Sequence, residues 1–150
     1  MPEPPSNTAV VTYGETVYTA LLRAQPGGLT TIALQQTTGL SLYRVRKGLT
    51  YIRDHMALAS ATALIWDREN GYQLSTGVEN CTAYIITAYA SLVTRAGRLL
   101  YGTVGPHAAA NPADPQAQLF FQLLNSALAA LTIAMNQEPP VEAAGRQAAP

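Results

Sequence analysis

An excess of charge of either sign is missing from this chain: nine Lys and Arg stand against nine Asp and Glu, and the formal net charge is zero. A protein that coats nucleic acid with its whole surface is thereby excluded, so any attraction for phosphate has to be local. Cysteine is almost missing too. Cys81 stands alone, which excludes an internal disulfide and a cysteine-rich zinc site and fits a reducing, cytoplasmic setting. The two histidines, His55 and His107, are far apart and have no partner at metal-ligand spacing. Both read as surface residues, and no metal or cofactor is expected. There is no H-E-x-x-H, no G-x-x-x-x-G-K-[ST] loop, no dinucleotide fingerprint and no recognisable Ser, His and acid arrangement. No catalytic residues are expected, and the chain does not read as an enzyme. MPEPPSNTAV has neither a basic n-region nor an apolar h-region, which speaks against a secretory signal. Residues 1–13 read as a disordered leader.

What is present is apolar. Hydrophobic residues make up 48% of the 150 positions and charged residues only 12%, richer in apolar side chains than an average soluble domain. Some of that surface is expected to be covered by another subunit. Val17, Leu21 and Leu22 share one helical face, and the breakers in QPGG end it, which predicts a first helix over roughly 15–25. Thr30 or Thr31 can cap a second helix over roughly 31–37, ended by Gly39 in a left-handed conformation. Ser41 is a candidate N-cap for a third, in which Leu42, Val45, Leu49 and Ile52 recur at spacings of three and four. The period then changes. Leu64 and Trp66, then Tyr72 and Leu74, alternate around the turn residues DRENG, which predicts a β-hairpin with Asn70-Gly71 in its turn.

The cations gather on that third helix. Arg44, Arg46, Lys47 and Arg53 are four of the nine in the chain, and no acid lies between Arg23 and Arg53. Once the apolar spacing turns Val45, Leu49 and Ile52 inward, Tyr43, Arg44, Arg46, Lys47 and Thr50 face outward. A helix fits the DNA major groove, and Arg can bond guanine O6 and N7 in a bidentate way. Ser41, Tyr43, Arg44 and Lys47 are expected at the exposed front of the helix, with Arg46, Thr50 and Arg53 on phosphate. Trp66 and Tyr72 read as structural, a cross-strand aromatic pair packed on the core.

The order helix, helix, turn, helix, hairpin, together with TTGLSLYRVRKGLTYI, resembles the winged helix-turn-helix of bacterial, plasmid and phage regulators. The residues that carry the resemblance are Thr38, Gly39, Leu40 and Ser41, then Val45, Leu49 and Ile52. It covers about residues 14–75. Gln35 departs from a position that is often Ala in such motifs, and Gly48 lies inside the third helix, where it costs about 1 kcal/mol relative to Ala. A close approach by a neighbouring helix is the expected reason. The resemblance also implies a contact from the hairpin tip to the minor groove or backbone, here by Arg68 and Asn70, although Asp67 and Glu69 leave that tip net negative.

Beyond residue 75, Thr76 and Glu79 stand at capping-box spacing. Val78, Cys81, Ile85, Ala88, Leu92, Ala96 and Leu99 then keep a helical period over about six turns. Cys81 reads there as a small buried hydrophobe. GTVGPHAAANPADP reads as a loop, and Asp114 followed by Pro115 starts a last helix over roughly 115–136. No charge occurs from Pro115 to Gln137. Gln122, Asn125, Ser126 and Thr132 interrupt the apolar run and no cations flank it, so a membrane span is not expected.

The expected fold is mainly α with a small β-hairpin: a winged helix-turn-helix over 14–75, a helical dimerisation region over 76–137 and a disordered tail over 138–150. Dimerisation is assigned to Ile85, Tyr89, Leu92, Leu99, Leu119, Phe120, Leu123, Leu124, Leu128 and Leu131. The expected function is sequence-specific binding of double-stranded DNA, at an inverted repeat, by a homodimeric transcriptional regulator, in first place a repressor. The alternative is a winged-helix module for protein interaction, replication or DNA architecture.

Overall fold

The computed structural model describes residues 7–136, which are mainly helical with one antiparallel hairpin. The chain divides into two compact units, one through Tyr84 and one from Ile85 onward.

In the first unit α1 spans Asn7–Ala24, α2 Thr31–Thr38 and α3 Leu42–Tyr51. Helix α1 starts earlier than its apolar spacing suggests, and residues 7–13, expected in a disordered leader, belong to it. The prolines that would forbid a helix end at Pro5, and Ala9, Val10 and Val11 are half-buried rather than free. Residues 1–6 and the tail beyond Asn136 lie outside the described part. Both caps of the central turn have a chemical origin. Thr30 Oγ1 accepts the backbone N–H of Ala33 at 3.2 Å, and Ser41 Oγ accepts that of Arg44 at 3.4 Å. Gly39, at φ 70, ends α2 and donates its N–H to the Gln35 carbonyl. Helix α3 runs on through a π turn at Ile52–Met56, closed by the Ala57 N–H on the Ile52 carbonyl at 2.8 Å.

The core collects Val17, Ala20 and Leu21 from α1, Leu34 from α2, Val45, Leu49 and Ile52 from α3 and its extension, and Leu64 and Leu74 from the hairpin. These positions are the apolar repeats of the sequence, and their burial is the main stabilising term for the unit. Helix α1 packs most heavily on α3, and Gly48 allows it. A Cβ at Gly48 would stand 2.7 Å from the Tyr13 carbonyl oxygen and 3.0 Å from Val17 Cγ2. The first of those neighbours is backbone and cannot turn aside. Gly48→Ala is therefore expected to destabilise the unit. The strain of forced overpacking, about 1–3 kcal/mol, outweighs the roughly 1 kcal/mol of better helix propensity, and a lowered thermal midpoint would report it.

The hairpin pairs β1, Ala63–Asp67, with β2, Gly71–Ser75, in the register Leu64 to Leu74, Ile65 to Gln73 and Trp66 to Tyr72. Its turn needs a left-handed residue, supplied by Gly71 at φ 74. Leu29 adds a third short rung, exchanging backbone hydrogen bonds of 2.9 Å with Tyr72. The Asp67 carboxylate organises the turn. Its Oδ1 accepts the backbone N–H of Glu69 at 2.8 Å and of Asn70 at 2.6 Å, and Gln73 Nε2 donates to Oδ2 at 2.8 Å. The Asn70 backbone N–H first, then the Asn70 side-chain amide and the Glu69 N–H, hold the Asp67 carboxyl below its ordinary range. A carboxyl depressed in the folded state stabilises fully above its unfolded value, and the effect is lost as pH falls through the folded one. The turn amides of Glu69 and Asn70 are thus expected to keep their hydrogen-exchange protection through the ordinary carboxyl range and to lose it only as pH falls below that range. Asp67→Asn should remove that acid step.

Helix α4 begins at Val78 in the first unit and ends at Leu99 in the second, where it passes through a π turn at Leu100–Val104 into α5, Gly105–Ala110, and a short link leads to α6, Pro115–Asn136. The loop expected from residue 102 is therefore helical up to Ala110. Pro106 sits in the first turn of α5, where its missing N–H costs nothing, and three alanines follow it. Asp114 caps α6, its Oδ1 accepting the Gln116 N–H at 2.9 Å. The corner is closed by buried Leu100, Ala108 and Ala117, and Gln118 Nε2 donates to the Ala108 carbonyl at 2.9 Å. Away from that corner the packing stops. Helix α4 buries no residue and α6 only Ala117, and the two share no extended contact.

Candidate nucleic-acid interface

Helix α3 is held from one side only. Val45, Gly48, Leu49 and Ile52 are buried, and a helix turns about 100° per residue. The direction opposite that group is occupied by Tyr43, Lys47 and Thr50, all exposed. Arg46 and Arg53 stand on one flank of this outward arc and Arg44 on the other. Asp54, one residue beyond Arg53, is the first acid after Glu15.

The flanks differ in their neighbours. Arg44 leans toward α1, its guanidinium carbon 5.5 Å from the centre of the Tyr13 ring. It lies less centrally on the outward arc than the charge pattern suggests. Lys47 Nζ lies 5.7 Å from the centre of the Tyr43 ring, and Tyr43 itself is 54% exposed. Arg53 reaches the hairpin, its guanidinium carbon 5.8 Å from the centre of the Tyr72 ring. Thr50 donates its hydroxyl to the Arg46 carbonyl at 3.0 Å. Among the described residues no ion pair engages Arg44, Arg46, Lys47 or Arg53, so their charges are free for an external anion. No family model, curated protein or solved structure matches this chain.

The remaining expected contacts fall into two kinds. Ser41 is exposed, but its hydroxyl oxygen already caps α3. Arg68 is exposed in the hairpin turn, whereas the Asn70 side chain is tied to the Asp67 carboxylate at 3.2 and 3.1 Å. Asp67 thus serves the turn, and its charge is met by donors rather than presented alone at the tip. His55 and His107 are exposed, and no group of three or more metal-ligating side chains occurs among the described residues.

Two residues depart from their sequence reading. Trp66, taken as part of a core pair, does stand opposite Tyr72 but is 48% exposed, while Tyr72 packs against the core. Alternation assigns a strand residue to a face; it does not tell how far the core extends beneath that face. Cys81, expected to be buried, is half-buried, with its Sγ 3.8 Å from the Ser75 carbonyl oxygen.

The residues assigned to dimerisation are uncovered in the single chain. Ile85, Leu92, Leu99, Leu119, Phe120 and Leu123 are exposed, and Tyr89, Leu124, Leu128 and Leu131 are half-buried. Helix α6 is long and apolar enough to cross a membrane by length and composition.

Proposed function

We propose that residues 14–75 are a winged helix-turn-helix that binds double-stranded DNA, with α3 in the major groove, in a homodimeric transcriptional regulator that represses by occupying its operator. One observation carries the reading. The outward arc of α3 gathers Tyr43, Arg46, Lys47, Thr50 and Arg53, exposed and free of ion pairs, on a helix whose opposite side is locked to a core. That arrangement suits phosphate positioning and base-edge contact together. The capped turn before α3 and the hairpin after it support the same reading.

The dimer is proposed from the second unit. Helices α4 and α6 each present an apolar stripe that the chain itself leaves uncovered, a condition that marks an interaction surface in a soluble protein. Polar residues recur along α6 at Gln122, Asn125, Ser126 and Thr132, which suits a second copy of the chain better than lipid. Two-fold symmetry would set the two α3 helices about 34 Å apart, one DNA turn, and require an inverted repeat.

The test is duplex binding as a function of salt. A logarithmic slope of several units is expected for a protein neutralising several phosphates. Absence of salt-dependent affinity for any duplex would favour a protein-binding module instead.

A further inference from the structure

We infer that Trp66 is a contact residue for the sugar-phosphate backbone, extending the α3 surface onto the hairpin; the inference rests on the DNA-binding reading above. Three observations lead to it. Trp66 is 48% exposed, whereas its strand neighbours Leu64 and Ile65 are 8% and 6% exposed, an unusual placement for the residue type that is highly buried on average. It shares a hairpin face with Tyr72, directly opposite in the register. Tyr72 in turn lies under the Arg53 guanidinium, 5.8 Å from ring centre to Cζ.

Arg46 and Thr50 of α3 and Arg53 of the π turn follow one another at i, i+4 and i+7, and Arg53 meets Tyr72, the register partner of Trp66. Arg68 stands two residues past Trp66 in the exposed turn. An indole suits this position for a reason that a smaller apolar residue does not. Its flat face covers the C–H groups of a deoxyribose, while its N–H, a donor with no acceptor role, can bond a phosphate oxygen. Arg53, aligned on Tyr72, supplies the charge beside it. Such a contact positions the duplex without reading its bases.

Trp66 is the only tryptophan of the chain, so its emission is a local reporter. The experiment uses the full chain and a fluorescein-labelled duplex of mixed sequence at low salt, where backbone binding suffices. Anisotropy of the label shows whether the duplex is bound, and acrylamide quenching of Trp66 shows whether the indole is covered. Protection of Trp66 in parallel with the rise in anisotropy is expected. Trp66→Phe should weaken binding about threefold and Trp66→Ala about tenfold, alike on all sequences, the first losing the N–H donor and part of the flat face, the second the whole ring. A bound duplex with Trp66 still fully quenched overturns the inference and leaves the role of α3 standing. No rise in anisotropy at any protein concentration overturns both. Protection already present without duplex and growing with protein concentration assigns Trp66 to the contact between copies, which also overturns it.

Discussion

Replacing Arg46 and Lys47 together by alanine is expected to weaken duplex binding about a hundredfold at low salt, roughly tenfold for each charge-assisted contact removed. The slope of log affinity against log salt should fall by about two, since each neutralised phosphate contributes about 0.9. Both side chains are exposed, and neither has an ion-pair partner among the described residues. Their loss removes no core contact, and the helical circular dichroism and thermal midpoint should stay near those of the parent. The control is Arg95→Ala with Arg98→Ala, which removes the same net charge from α4. Were affinity a matter of net charge, the two pairs would act alike. With α3 as the contact element, the α4 pair is expected to leave affinity within about twofold, the residue of long-range attraction that salt screens.

Phe120→Asp with Leu123→Asp is expected to turn a dimer at micromolar concentration into a monomer, as measured by sedimentation equilibrium. Phe120 is 53% and Leu123 59% exposed in the single chain, so the carboxylates cost little in the monomer. In the dimer each would be buried without a partner, a penalty of several kcal/mol per charge, enough to shift association by orders of magnitude. Leu100, Ala108 and Ala117, which close the corner between the π turn, α5 and α6, are untouched, and the helical content should persist. Operator affinity should fall with dimerisation, because one half-site then has to hold the protein alone. A monomeric parent at the same concentration would contradict the role given to α4 and α6.

The elements around Gly39 were the most legible in the sequence, because their signals are local. A capping Thr30, a left-handed Gly39 and a capping Ser41 each act within a few residues, and the structure contains all three. Gly48 was legible as an anomaly, since a helix-interior glycine asks for a close neighbour, but only the tertiary fold names Tyr13 of α1 as that neighbour. Three prolines within the first five residues made the start of α1 look like leader, although Ser6 and Asn7 are residue types that cap helices. Gly102, Gly105 and Pro106 looked like breakers, yet a proline in the first turn of a helix breaks nothing, and the chain stays helical there.

The candidate interface was legible to the extent that it follows from amphipathic spacing. Burial of Val45, Leu49 and Ile52 sends the cations of α3 outward, and that could be read from the period alone. What the period does not contain is the identity of the two flanks. Only the packing of α1 against α3 sends Arg44 toward Tyr13, and only the placement of the hairpin brings Arg53 over Tyr72. For the same reason Trp66 was read as core: burial along β1 does not alternate, since the adjacent Leu64 and Ile65 are both buried, and the core ends before it reaches Trp66.

On the proposed reading, two copies of α3 present one cationic arc each to successive turns of a duplex. Selection of bound sequences from a pool of random duplexes should then recover an inverted repeat whose half-site centres lie about 10 base pairs, or a multiple of one helical turn, apart. A pool that stays unenriched after repeated selection, or one that yields a single unpaired site, would contradict it.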